Sequence, residues 1–205
     1  MPRRLPLRFL PVAAAVAAIA AGIGAAALLD REAPVELRAG TALAQPRPLA
    51  EFALVDHRGR ALGPSDFEHR WTLVFTGFTH CPDLCPTTLT LLAQVRSQLP
   101  QESLRILFLS VDPGRDGPEQ IAAYLAHFGQ GLSGATGTPA QVEAFSAQLG
   151  LAQLRNPGAG ADYTIDHSAA LVLIDPRVRV AGYFRPPHDA SALIADLAAL
   201  AGATG

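Results

Sequence analysis

Trp71-Thr72-Leu73-Val74-Phe75-Thr76-Gly77-Phe78 leads without a break into Thr79-His80-Cys81-Pro82-Asp83-Leu84-Cys85-Pro86. The first eight residues are mostly apolar, β-branched or aromatic, the composition of a strand. After Pro86, Leu89, Leu92, Val95, Arg96 and Leu99 recur at helical spacing until Pro100 stops the pattern. The stretch predicts a strand, a loop and a helix, with the chain's only two cysteines on the loop.

Working outward, Leu104 to Val111 is a near-continuous apolar run, as expected of a strand buried on both faces of a sheet. Pro118 opens a second helix reaching about Phe128, and Thr138 can cap a third that reaches Leu149. The Gly-rich passage between them, Gly129 to Gly137, reads as a connection, and Asn156 to Gly160 as a loop. Tyr163 to His167, Ala169 to Ile174 and Val178 to Phe184 are strand-like, and Ser191 to Leu200 closes the chain as a helix. Upstream, Phe52 to Val55 reads as a strand entering a tight turn at Gly59. Parallel neighbours need helical crossovers, so this order predicts an α/β thioredoxin-like domain, a central mixed sheet flanked by helices.

The chain has 205 residues, 49% of them hydrophobic, enough for one cored domain over residues 50–205 with an anchor and a tether before it. Arg3, Arg4 and Arg8 precede an apolar stretch from Phe9 to Leu29 of the right length for one transmembrane helix. With the arginines held in the cytoplasm, the rest of the chain lies across a bacterial inner membrane, facing the periplasm. Ala25-Ala26-Ala27 also suits cleavage of a signal peptide, so residues 1–29 read as an anchor or a leader. Residues 30–49, rich in Arg, Glu, Ala, Gly and Pro with no clear period, read as a tether.

Composition removes several chemistries. A formal charge of −2 with no basic run beyond the first residues gives no footprint for nucleic acid. There is no lysine, so Schiff-base catalysis and the lysine-dependent phosphate loop are out. Met1 is the only methionine, so a soft-metal site cannot use a thioether and must draw on Cys81, Cys85 and histidine.

Cys81 and Cys85 stand four residues apart at the start of a predicted helix, so both sulfurs can point the same way. A helix N-terminus favours negative charge and is expected to lower a thiol's pKa. Three readings stay open on these grounds: a structural disulfide, a redox-active dithiol, or two sulfur ligands of a metal site. A metal site wants a histidine as well. Of His57, His69, His80, His127, His167 and His188, most lie in polar turns or at helix ends. His167 ends a strand-like run, where a sheet can bring it to the cysteine loop.

Three separated motifs carry a family resemblance: Thr76 to Pro86, Ser110-Val111-Asp112-Pro113-Gly114-Arg115-Asp116, and Asp162-Tyr163-Thr164-Ile165-Asp166-His167-Ser168. Together they resemble the Sco/SenC proteins, thioredoxin-fold copper binders that assist cytochrome c oxidase assembly. The similarity runs from about Phe52 to Phe184. It implies that Cys81, Cys85 and His167 bind copper, as Cu(I) or Cu(II), with Asp112 and Asp166 as acids near the site. It further implies a metallochaperone rather than an enzyme, serving the copper-bearing subunit of the oxidase. Other periplasmic copper chaperones or thioredoxin-like reductants are further expected partners. The alternative is a thiol-disulfide reductase that uses Cys81 and Cys85 as a redox pair to keep the partner's cysteines reduced. A peroxide-reducing thioredoxin relative is a third option. Thr76 departs from the family pattern, as does the lack of Asp-Gly after Asp175-Pro176, and neither is expected to touch the ligands.

Overall fold

The computed structural model describes residues 18, 19, 22, 35–100, 102–156 and 163–202. The chain divides into Met1–Pro34 and Val35–Gly205. In the first unit Ala18, Ile19 and Gly22 are helical. The expected membrane helix otherwise lies outside the described residues, among which no helix is long and apolar enough to cross a membrane.

The second unit is built on an eight-stranded mixed sheet. Its strands are β1 (Thr41–Pro48), β2 (Leu54–Asp56), β3 (Ala61–Leu62), β4 (Trp71–Gly77), β5 (Leu104–Ser110), β6 (Leu132–Thr136), β9 (Leu171–Ile174) and β10 (Arg179–Phe184), in the order β1-β10-β9-β4-β5-β6-β2-β3. Between β6 and β9, β7 (Gln153–Asn156) and β8 (Thr164–His167) form a separate antiparallel pair. The helices are α1 (Leu84–Ser97), α2 (Pro118–Ala126), α3 (Pro139–Gln148) and α4 (Ala190–Gly202). β4, β5 and β6 run parallel, joined by α1 and α2 as crossovers, while β9 returns antiparallel along β4.

Strand alternation sorts the core. Leu73 and Phe75 of β4, with Ile106 and Phe108 of β5, face the side covered by α1, α2 and α4. Val74, Leu107 and Leu109 face the other side, where Val142 and Phe145 of α3 meet them. Cys85 belongs to the first cluster, and Cys81 touches both. The cysteine loop therefore leaves the parallel end of a strand buried on both faces.

β3 and β7 are strands absent from the sequence reading, whose loop from Asn156 begins inside β7, and two further segments differ from it. The Gly-rich passage contains β6, an interior strand, because its small residues answer to packing. A Cβ at Gly134 would lie 2.3 Å from Ile121 Cγ2 and 2.9 Å from Leu125 Cδ1, so α2 can lie on the sheet only over a glycine. The tether also gives way: residues 41–48 pair with β10 as the edge strand β1. An edge strand needs only one row of hydrogen bonds and one half-buried face, which is why Pro46 and Pro48 are tolerated there and no alternation is visible. The strand's neighbourhood is fastened further by Asp196 of α4, whose buried carboxylate accepts from the backbone N–H groups of Arg38 and Ala39.

Candidate metal centre

Gly77 ends β4, Asp83 is the N-cap residue of α1, and Cys85 lies in that helix's first turn. Cys81 is held beside it by two backbone contacts. Its N–H donates to the Phe78 carbonyl at 3.2 Å, and its sulfur accepts from the Cys85 N–H at 3.4 Å. Cys85 is fully buried, and the space for its sulfur depends on Gly77: a Cβ there would sit 2.7 Å from Sγ and 2.8 Å from the Phe108 ring.

His167 closes β8, and the β7–β8 pairing, with Gln153 opposite His167, carries it to the cysteines. Its Nε2 lies 3.5 Å from Cys85 Sγ, and its Nδ1 lies 3.2 Å from the Ser168 carbonyl. A carbonyl only accepts, so Nδ1 carries the proton and Nε2 presents its lone pair to the sulfur. Phe75 and Phe78 meet the imidazole edge-on, with ring centroids 6.1 and 6.0 Å away, and hold its plane. The Ser168 carbonyl also accepts from the Thr76 hydroxyl at 3.2 Å. Thr76, expected to stand clear of the ligands, is thus one acceptor away from His167.

Donor atoms of Cys81, Cys85 and His167 all lie within 4.8 Å of one another, the one such grouping of three among the described residues. Both cysteines are free thiols, so the disulfide reading is not the state seen here. The remaining histidines are occupied elsewhere or exposed. His57 Nδ1 accepts from the Gly134 N–H, His188 donates to the Ala169 carbonyl, and His80 lies beside Thr79 and Asp116. Two sulfurs and one imidazole, with no methionine among the described residues, are a soft donor set suited to copper, above all Cu(I).

Electrostatics reverse one expectation. The helix N-terminus does not make Cys85 an acidic thiol, because burial pushes it far above its ordinary value and the Cys81 sulfur beside it adds to the effect. Burial also pulls His167 below the usual imidazole value, against the opposing pull of the Ser168 carbonyl and Asp166. At neutral pH these shifts keep Cys85 protonated and His167 neutral. A metal entering the site must expel the Cys85 proton but none from the imidazole. Apparent Cu(I) affinity should accordingly rise with pH between 6 and 8, about tenfold per unit for each proton released. Competition with a Cu(I) chelator, corrected for the chelator's own protonation, measures the slope, and a flat profile would contradict this protonation state.

The sequence motifs also contain a residue whose part was not foreseen. Asp116 is completely buried, and its carboxylate accepts from the Thr79 N–H at 2.8 Å, the Thr79 hydroxyl at 2.6 Å and the Ser110 hydroxyl at 2.6 Å. It clamps the start of the cysteine loop to the end of β5. Asp112, expected near the site, is bound to Arg115 and accepts from the Tyr163 hydroxyl. The Arg115 and Arg155 guanidiniums lie over the Tyr163 ring at 3.6 and 3.5 Å, so this cluster ties the β7–β8 arm to the loop after β5. Asp166 is exposed on β8, and its charge favours a protonated His167 without contacting a donor atom.

A thioredoxin-like sheet with a Cys-Cys-His donor set at the end of its parallel strands defines a class of metal-binding α/β domain. The family model described as SCO1/SenC matches residues 41–202, and this chain belongs to that family. A Stutzerimonas stutzeri protein named for copper binding is 33% identical over 162 residues, covering 78% of this chain and 79% of that one. Human mitochondrial SCO2 homolog is 41% identical over 131 residues, 62% of this chain and 49% of that protein, so the chain spans about half of this mitochondrial relative. Among solved structures, Bradyrhizobium japonicum ScoI with copper bound superposes with a TM-score of 0.68 at 32% identity, covering 73% of this chain and 97% of that one.

Proposed function

We propose that this chain is a copper chaperone of the Sco/SenC type, which binds copper through Cys81, Cys85 and His167 and passes it to the copper-bearing subunit of cytochrome c oxidase. Copper is its cargo. The observation that carries the reading is the convergence of three donor atoms from the cysteine loop, α1 and the β7–β8 arm within 4.8 Å. Three protein ligands leave coordination positions open to a partner's donors, which suits a site that must release its ion. In this reading residues 1–29 anchor the protein in the bacterial inner membrane or are cleaved, and the domain works in the periplasm.

Thiol-disulfide exchange needs an accessible thiolate at neutral pH, and burial of Cys85 with its raised pKa works against it. It also has no use for an imidazole beside the sulfur. The two activities separate at His167. His167→Ala should abolish measurable transfer of Cu(I) from the reduced protein to a purified oxidase copper domain, while changing the rate of disulfide exchange by less than about threefold. Unimpaired transfer by the variant would remove the histidine from the site, and no transfer by the native protein would overturn the chaperone reading.

A further inference from the structure

At the end of the sheet remote from the cysteine loop lies a cavity of about 510 Å³, lined in part by the first residues of β5 and β6. Five of the chain's sixteen basic residues line it: Arg58, Arg60, Arg70, Arg96 and Arg105. The two acids that line it, Asp56 and Asp66, are already committed. Asp56 accepts from the Arg58 and Arg60 backbone N–H groups and pairs with the Arg60 side chain at 2.7 Å. Asp66 accepts from the Gly63 N–H.

Arg105 is only partly compensated. Its Nη2 donates to the Asp66 carbonyl and its guanidinium lies 5.2 Å from the Phe67 ring centroid, but its Nη1 is buried with no hydrogen-bond partner among the described residues. Burial, and after it the nearby charge of Arg70, lowers its pKa to about 10. Arg96 adds a second desolvated guanidinium, fully buried and held by the Leu104 and Leu99 carbonyls. Desolvated positive charge facing like charge is costly, and an anion in the cavity would offset that cost.

We propose that this cavity binds a phosphate-bearing anion, with Arg70 and Arg105 as its principal contacts and Arg58, Arg60 and Arg96 completing the positive field. A single carboxylate offers only two acceptor oxygens to these guanidinium forks. A phosphate offers up to two negative charges and several acceptor oxygens matched to planar guanidinium forks, and the volume leaves room for an organic substituent. A soluble phosphate monoester presents these oxygens with up to two negative charges, and the phosphodiester headgroup of an anionic phospholipid presents them with one.

Calorimetry on the purified full chain in low-salt buffer distinguishes these sources. The probes are inorganic phosphate, glycerol phosphate and dioctanoyl phosphatidylglycerol below its micellar concentration, with dioctanoyl phosphatidylcholine as the uncharged control. Saturable binding of at least one anionic probe is expected, weakened about tenfold or more by Arg70→Gln and by Arg105→Gln. Saturation by the soluble phosphates assigns a soluble ligand, and saturation by phosphatidylglycerol alone assigns a headgroup. Arg105 also braces the Asp66 carbonyl, so Arg70→Gln decides the matter if the Arg105 variant misfolds. Failure of every anionic probe to saturate, or binding unaltered by Arg70→Gln, would overturn the proposal. Copper stoichiometry measured on the same samples should not change, so this result is independent of the copper reading.

Discussion

Replacing Cys85 by alanine should lower Cu(I) affinity by at least about a hundredfold while leaving the domain folded. The size follows from metal sites generally, where roughly 10–16 kcal/mol shared by four ligands gives roughly 3 kcal/mol for each. The structural cost is smaller, because the substitution removes one sulfur from a buried cluster and leaves a cavity of about one atom, worth roughly 1 kcal/mol. Copper competition and a denaturation curve on the same variant separate the two. Comparable losses in both would mean that Cys85 is a core residue first and a ligand second. Its position makes that contrast informative, since it is fully buried and Gly77 leaves room for its sulfur.

Asp116→Ala should cost about 3 kcal/mol of stability, because it strips a buried carboxylate from three donors at once and leaves the Thr79 N–H without its partner. Asp116→Asn keeps the shape but sets an amide NH2 against donors that want an acceptor, so it should lose a large part of the same amount. Copper release should also quicken in both variants, since the clamp fixes Thr79, two residues before Cys81. Chemical denaturation of the apo protein gives the first effect, and chelator-induced copper release the second. An unchanged unfolding midpoint in Asp116→Ala would show that the clamp is not holding the loop.

The parts legible in the sequence were those written in local composition. β4 announced itself through Trp71 to Phe78, and α1 through its leucine spacing and Pro100. The capping role of Thr138 was also legible, and its hydroxyl accepts from the Gln141 N–H. β6 was hidden because Ser133-Gly134-Ala135 were chosen by the approach of α2 and not by strand propensity. β1 was hidden because an edge strand imposes too little on its residues to print a pattern.

At the site, residue identities were legible and their physics was not. Cys81, Cys85 and His167 could be named from chemistry and resemblance, since few other soft donors exist in the chain. The raised pKa of Cys85 could not be read, because it depends on burial by residues such as Phe108, distant in sequence. Asp116 was passed over because Arg115-Asp116-Gly117 looks like an ordinary turn, and only the fold reveals three donors converging on its carboxylate. Thr76 makes no contact with a ligand, as expected, but its hydroxyl reaches the carbonyl that also fixes the His167 ring, a link that only the fold reveals.

The central claim is that one copper ion is held by two sulfurs and one imidazole nitrogen from these three residues. X-ray absorption of the reduced, Cu(I)-loaded protein tests it most directly, beside the same spectrum of His167→Ala. The expected result is a shell of two sulfurs and one nitrogen in the native protein, with the nitrogen lost and both sulfurs kept in the variant. A native spectrum without nitrogen, or one that His167→Ala leaves unchanged, would contradict it.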